Sequence, residues 1–311
     1  MLKIGIVGIN FESKKHLEAL SLLEGKFEVV GYYEPNISLK NPELEELRSF
    51  DSYDELLLEV DVIDIVSPLH KHYDFISKAL RRSKHIFIQK PITESEDEAR
   101  SLISLSNEAD VKVQISSEEK FNPAFEAAIP LFNKPMFIDI KRSVDSSIFT
   151  SNQCLVLDFM LNDIDMALSV VKSGVKRISA NALHVFNHSI DVVDVRIEFD
   201  NGAIVKLSID KLGGVESIVS KFYQKDKVVE IDFVKSRLVI NEQDGDKIIS
   251  KESIYKDVNS VKNEFDSFYD SITKDKEPKV SLLNGLDSLM VAKTVLDLVN
   301  RTNIAYIDNN N

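Results

Sequence analysis

The chain of 311 residues contains one cysteine, no tryptophan, and fewer basic residues than acidic ones, 38 against 51. Each shortage excludes something. A lone thiol, Cys154, forms no intramolecular disulfide and supplies no thiolate metal site, which points to a reducing cytoplasm. A net charge of −13 lacks the clustered Lys and Arg that phosphate neutralisation needs, so nucleic acid is not an expected partner. No apolar run reaches the roughly 18 to 20 residues of a membrane span; the longest candidate, Val60 to Val66, is broken by Asp61 and Asp64. The opening Met1-Leu2-Lys3-Ile4-Gly5-Ile6-Val7 shows neither the basic lead nor the small-residue cleavage site of a signal peptide and reads as a strand.

What is present is an ordinary globular composition, 43% hydrophobic and 29% charged, enough for two domains with separate cores. Over the first 120 residues, continuous Val/Ile runs predict strands at Lys3–Val7, Phe27–Tyr33, Val62–Val66, His85–Ile88 and Val111–Ile115. Between them, Tyr73, Ile76 and Leu80 share one helical face, as do Ala99, Leu102 and Ile103. Alternating strands and helices imply a parallel sheet. After about residue 135 the period becomes two: Val193, Val195, Ile197 and Phe199 alternate with Asp194, Arg196 and Glu198. Asp200-Asn201-Gly202 turns the chain, and Val205, Leu207 and Ile209, then Val229, Ile231 and Phe233, resume the alternation. The second half is therefore an antiparallel sheet with an apolar helix near Leu155–Val171 and helices near Val261–Ile272 and Leu283–Val299. The join falls at Phe121-Asn122-Pro123.

Three constellations could carry chemistry. Gly8-Ile9-Asn10-Phe11-Glu12-Ser13 occupies the positions of the dinucleotide fingerprint G-x-G-x-x-G, with only the first glycine kept. Asn10 tolerates the left-handed conformation and Ser13 is small, so the turn can persist; the alternative is a plain strand-to-helix turn. Glu34 ends the second strand, where a carboxylate would bind the ribose hydroxyls of an adenosine and repel a 2′-phosphate, favouring NAD over NADP. The second constellation is Gln89-Lys90-Pro91, beyond the carboxyl end of His85–Ile88, where Lys90 would enter the ligand crevice and exchange a proton with a substrate hydroxyl. The plain alternative is a surface lysine. The third is Asp158, Asn162 and Asp165, which share a helical stripe at i, i+4 and i+7 on an otherwise apolar segment. Either the stripe faces a polar cleft, or the aspartates pair with bases such as Lys141 or Arg142. His70 and His72 could border the same crevice. No metal-ligand spacing, no G-x-S-x-G and no P-loop is present.

In order along the chain, Gly8 to His16, Ser67-Pro68-Leu69-His70-Lys71-His72, Gln89-Lys90-Pro91, Val113-Gln114-Ile115-Ser116, Phe121-Asn122-Pro123-Ala124, Asp158 to Asp165, and Val280 to Leu286 resemble the Gfo/Idh/MocA family of NAD(P)-dependent oxidoreductases. The resemblance implies a Rossmann dinucleotide-binding domain, residues 1–121, and a substrate-binding and dimerisation α/β domain on an open, mostly antiparallel sheet, residues 122–311. It also implies a homodimer or homotetramer formed through that sheet, and hydride transfer between nicotinamide and a sugar-like or nucleotide-sugar substrate. Carried over, Lys90 is the lysine of the E-K-P motif, Asp158 the Asp of D-x-x-x-H, and His72 the His after the T-P segment. Cofactor contacts then fall to Gly8, Asn10, Phe11, Ser13, Glu34, Ser67, Pro68, His72, Gln89 and Lys90, and the chemistry to Lys90, Asp158 and Asn162.

The departures sit where the chemistry is. Gln89 replaces a glutamate, Asn162 the usual histidine, Asn10 and Ser13 two glycines, and Ile115-Ser116-Ser117-Glu118-Glu119-Lys120-Phe121 stands where V-G-x-x-x-R-F is usual. Asn162 can hydrogen-bond a hydroxyl but cannot take its proton. Two readings therefore stand beside a purely structural interaction protein: an NAD-dependent oxidoreductase with Lys90 as acid/base, or a degenerate relative that binds a nucleotide or sugar without turnover.

Overall fold

Short Val/Ile-rich runs build the first sheet of the computed structural model, which describes residues 1–36, 47–145, 154–186 and 190–308. The strands are β1 (Leu2–Val7), β2 (Phe27–Tyr33), β3 (Val62–Ile65), β4 (His85–Ile88) and β5 (Val113–Ile115). All pair in parallel, in the order β2-β1-β3-β4-β5. Burial on both faces explains their mostly apolar character, with Asp64 and Gln114 the buried polar exceptions. The connecting helices are α1 (Phe11–Ser21), α2 (Tyr53–Glu59), α3 (His72–Arg81) and α4 (Glu96–Ala109). Successive connections depart in opposite directions from β1, so the carboxyl ends of β1 and β3 flank a topological switch point, where such sheets bind ligands. Val111, expected in the fifth strand, precedes it, and Val66 follows the third.

The second sheet has eight strands: β6 (Phe137–Ser143), β7 (Val175–Leu183), β8 (Val192–Phe199), β9 (Ile204–Asp210), β10 (Ser217–Gln224), β11 (Lys227–Asp232), β12 (Arg237–Asp244) and β13 (Lys247–Ile254). Their order is β13-β12-β11-β10-β6-β9-β8-β7, antiparallel except for the β6–β9 pair. The period-two residues behave as expected: Val193, Val195, Ile197, Val205, Val229 and Ile231 are fully buried. They form one core with α5 (Pro123–Ala128), α6 (Leu161–Val171) and the later part of α8 (Leu282–Asp308). Gly202 takes φ +86° in the β8–β9 turn.

Two differences from the sequence reading matter. Leu155–Val171 is not one α-helix: Leu155–Met160 is wound as a π-helix and only Leu161–Val171 is α. The units are also not two consecutive stretches meeting at residue 121. One comprises Met1–Glu118 with Asn259–Leu286, the other Glu119–Val258 with Asp287–Asn311. The reason is apolar: α7 (Ser260–Thr273) packs Phe265 against Phe87, ring centroids 4.2 Å apart, and Val261 and Phe268 into the same cluster as Ile4 and Val62. Burying a phenylalanine contributes about 1.5–3 kcal/mol, which a run of amphipathic helix far along the sequence does not announce. No helix among the described residues is long and apolar enough to cross a membrane.

Candidate active site

At the switch point the loop after β1 is held backbone to backbone. Gly8 has φ +95°, and a Cβ there would lie 2.8 Å from Ser67 N and 2.9 Å from Ser67 Cα. Only glycine fits. Asn10, a residue able to adopt the left-handed conformation, is extended here, φ −155°, and is the N-cap of α1. Its Oδ1 accepts from Ser13 N at 3.1 Å, Asn10 N donates to Ser13 Oγ at 2.9 Å, and Nδ2 donates to Val66 O at 2.6 Å. The two residues that replace glycines therefore form a reciprocal capping box that fixes the helix start. It leaves the N–H groups of Phe11 and Glu12 at the positive end of the helix. Phe11 is 71% exposed, with Lys15 Nζ 5.4 Å from its ring centroid.

Glu34 closes over this loop: Oε2 accepts from Ile9 N at 2.7 Å and Oε1 from Asn36 N at 2.8 Å. Ser67 Oγ is buried and meets no hydrogen-bond partner among the described residues. A cradle that a Cβ would fill, a helix N-terminus, a carboxylate at the end of β2 and an unsatisfied hydroxyl together fit a dinucleotide. Pro68 is exposed beside them. His72, expected as a cofactor contact, is only 2% exposed, and its ring nitrogens meet Pro91 O at 2.9 Å and Ser67 O at 2.7 Å. Burial lowers its pKa while the carbonyls oppose that shift. It joins the loops after β3 and β4 and reaches a ligand only through them. His70 lies exposed in the short turn Leu69–Lys71 that leads from β3 into α3.

Lys90 leaves β4 with its Nζ donating to Ser117 Oγ at 3.1 Å. Gln89 Nε2 lies 3.3 Å from both Glu12 Oε2 and His16 Nε2. His16 Nδ1 meets Asp64 Oδ2 at 2.8 Å, both side chains fully buried. Burial penalises the His16 imidazolium, but the Asp64 carboxylate outweighs that penalty and the pKa is raised. The residue that sequence reasoning missed is Glu264 on α7. Its carboxyl is fully buried, accepts from Ser116 Oγ at 2.9 Å and from Ser117 N, and is pushed up to about 8 by burial and by Glu118. The signal was available: Val261, Glu264, Phe265 and Phe268 lie at i, i+3, i+4 and i+7, so the acid sits on an apolar face.

In the second unit the expected stripe divides. Asp158 lies in the π-turn, where Oδ2 accepts from Cys154 N at 2.6 Å; desolvation raises its carboxyl against that hydrogen bond, although the residue stays exposed. Asn162 is half-buried one turn on. Asp165 is not part of a polar cleft: it is buried against Lys120 at 2.7 Å. The neighbouring Asp163 receives both Arg142 Nε, at 2.9 Å, and Nη2, at 2.7 Å, with Glu119 accepting from the same guanidinium at 2.7 Å. Lys120 and Arg142 thus clamp α6 through the two aspartates that flank Ile164. The π-winding of Leu155–Met160 takes Asp158 off the 3.6-residue stripe, while Asp165, on the same α-helix as Asn162, is held inward by Lys120.

The parallel sheet, the Gly8 turn and the helix that follows it define a Rossmann-type unit. Residues 2–117 match the Gfo/Idh/MocA family model, described as an oxidoreductase family with an NAD-binding Rossmann fold. The chain is 22% identical over 242 residues, 77% of its own length and 76% of the other's, to a UDP-N-acetylglucosamine 3-dehydrogenase of Acidithiobacillus ferrooxidans. A solved structure of that enzyme has a TM-score of 0.88 at 19% identity, covering 97% of this chain and 99% of its own. A Bacillus subtilis scyllo-inositol 2-dehydrogenase (NAD(+)) is 25% identical over 160 residues, 46% of each chain. A levoglucosan dehydrogenase solved with NADH and L-sorbose shares the fold at TM-score 0.85 and 15% identity, covering 97% of both chains.

Proposed function

We propose that the chain is an NAD-dependent dehydrogenase of a sugar-like or nucleotide-sugar hydroxyl. The observation that carries this reading is Lys90, set beyond β4 on the same sheet as the Gly8 cradle and steadied by Ser117. A nicotinamide dinucleotide bound at the Gly8 loop would supply the hydride chemistry. Lys90 takes the hydroxyl proton in oxidation and returns it in reduction. Asp158 and Asn162 orient the substrate hydroxyl; Asn162 can donate or accept a hydrogen bond but moves no proton. Gly8 and the first N–H groups of α1 hold the pyrophosphate, and Glu34 the adenosine ribose, which supports NAD over NADP. The named dehydrogenases among its relatives support the substrate class, the lone cysteine supports a cytoplasmic setting, and the polar open face of the eight-stranded sheet is the surface for a homodimer or homotetramer.

The Asn162 substitution favours a second reading, a ligand-binding relative without turnover. A thermal-shift titration with NADH, NAD, NADPH and NADP separates the two, because a ligand at 100 times its Kd stabilises a fold by about 2.7 kcal/mol. A shift with NAD(H), followed by NADH formation on a panel of sugars and nucleotide sugars, is the expected result. Binding without turnover on that panel supports the second reading. No shift with any of the four overturns both nucleotide-based readings.

A further inference from the structure

We propose that Glu264, brought into the first unit by α7, is a positioning residue for Lys90, acting through the Ser116-Ser117 turn. The inference rests on the reading of Lys90 as the acid/base. One residue of α7 secures the whole exit of β5: its backbone oxygen accepts from Gln114 Nε2 at 3.2 Å, and its carboxyl from Ser116 Oγ and Ser117 N. Ser116 N in turn donates to Ile88 O at 2.8 Å, tying this exit to the end of β4, two residues before Lys90. Ser117 thus receives its backbone placement from Glu264 and offers its hydroxyl to Lys90. A lysine ammonium on a four-carbon stem has little orientation of its own, so a fixed acceptor decides where the amine stands, and misplacement of a reacting group is costly in rate.

Packing alone does not account for an acid here. A fully buried carboxyl is expensive, and the same space on the Phe265 and Phe268 face would suit an apolar side chain. The charged groups facing it are His16 from α1, backed by Asp64 from β3, and Glu118 beyond β5, itself bound by Lys15. From β4, Lys90 reaches it through Ser117. The direct ligands of the carboxyl are the two groups that shape the serine turn.

The test uses full-length protein carrying Glu264→Gln, Glu264→Met, Ser117→Ala and the Glu264→Met/Ser117→Ala pair. Gln keeps an acceptor for Ser117 N–H; Met keeps the volume and loses the acceptor. Lysines of the cofactor-free protein are dimethylated with 13C-formaldehyde, and the Lys90 signal is assigned by its absence in Lys90→Met. Expected for Glu264→Met and for Ser117→Ala is a displaced Lys90 13C-methyl signal at neutral pH, with kcat lowered about tenfold and NADH Kd and KM within about twofold. The pair should be no worse than either single change, and Glu264→Gln should behave as wild type. A Lys90 signal at its wild-type position in Glu264→Met or in Ser117→Ala overturns the proposal, as does Glu264→Gln being as damaging as Glu264→Met. If Glu264→Met does not fold, the Lys90 signal of Ser117→Ala decides. Absence of turnover in the wild type would sink the dehydrogenase reading while leaving the Lys90 signal to judge Glu264.

Discussion

Gly8 and Ser67 stand backbone against backbone at the point where the first sheet changes direction, 2.8 Å separating the place of a Gly8 Cβ from Ser67 N. The contact joins the loop after β1 to the loop after β3, and neither the φ of +95° nor the space admits a side chain. Gly8→Ala should lower stability by about 1–3 kcal/mol from strain alone and weaken NADH binding with it. Calorimetry with and without NADH checks both; an unchanged Tm together with an unchanged Kd would remove Gly8 from the cofactor site.

Lys90→Met should reduce turnover by about 10²- to 10⁴-fold, the worth of a general acid/base, while NADH affinity changes little. Steady-state rates and an NADH titration separate the two effects. Full activity in this variant would refute the role given to Lys90.

Glu34→Gln keeps an acceptor for Ile9 N–H and Asn36 N–H but removes the charge proposed to repel a 2′-phosphate. The ratio of NADPH to NADH affinity should rise about tenfold, a change of roughly 1.4 kcal/mol. Equal ratios in variant and wild type would show that Glu34 does not select the cofactor.

Asn162→His supplies an imidazole where the chain has only an amide. If cofactor binds, the rate near neutral pH should rise by about tenfold or more. A lower rate in a folded, NADH-binding variant would mean that Asn162 is fitted to its own substrate contact.

Stability should fall toward alkaline pH. Glu264 has an ordinary value of 4.5 and a folded value of about 8, so the native state holds its proton where the unfolded chain has released it. The advantage is complete below about 4.5 and is lost as pH rises through about 8. His16, also raised, acts in the same direction above the usual histidine range. Glu264→Gln should therefore gain in Tm relative to wild type between pH 6 and pH 9, and a pH-independent difference would contradict the buried, protonated carboxyl.

Much of this was legible in the residues. Val/Ile-rich runs announce β1, β3 and β4 because both their faces are covered, and period two announces β8 and β9 because one face is wet. The position of Lys90 just beyond β4 follows from the same pattern. Three things were hidden for physical reasons. The i, i+4, i+7 stripe assumes one winding, whereas Asp158 lies in a π-turn and Asp165, on the same α-helix as Asn162, is buried against Lys120. Asn10 reads as a stand-in for glycine, whereas its side chain and that of Ser13 satisfy each other's backbone. Glu264 lies some 150 residues beyond Ser116 and Ser117 in the chain, a separation that no local pattern spans.

The return of α7 to the first sheet makes that unit a composite of two distant stretches of sequence. Phe87, Ile4 and Val62 owe part of their cover to the Phe265 and Phe268 rings, which come after the whole of the second sheet. A fragment of residues 1–121 would keep that flank bare, so a fragment cut to carry the first unit alone should splice Met1–Glu118 to Asn259–Leu286 rather than stop at a single point.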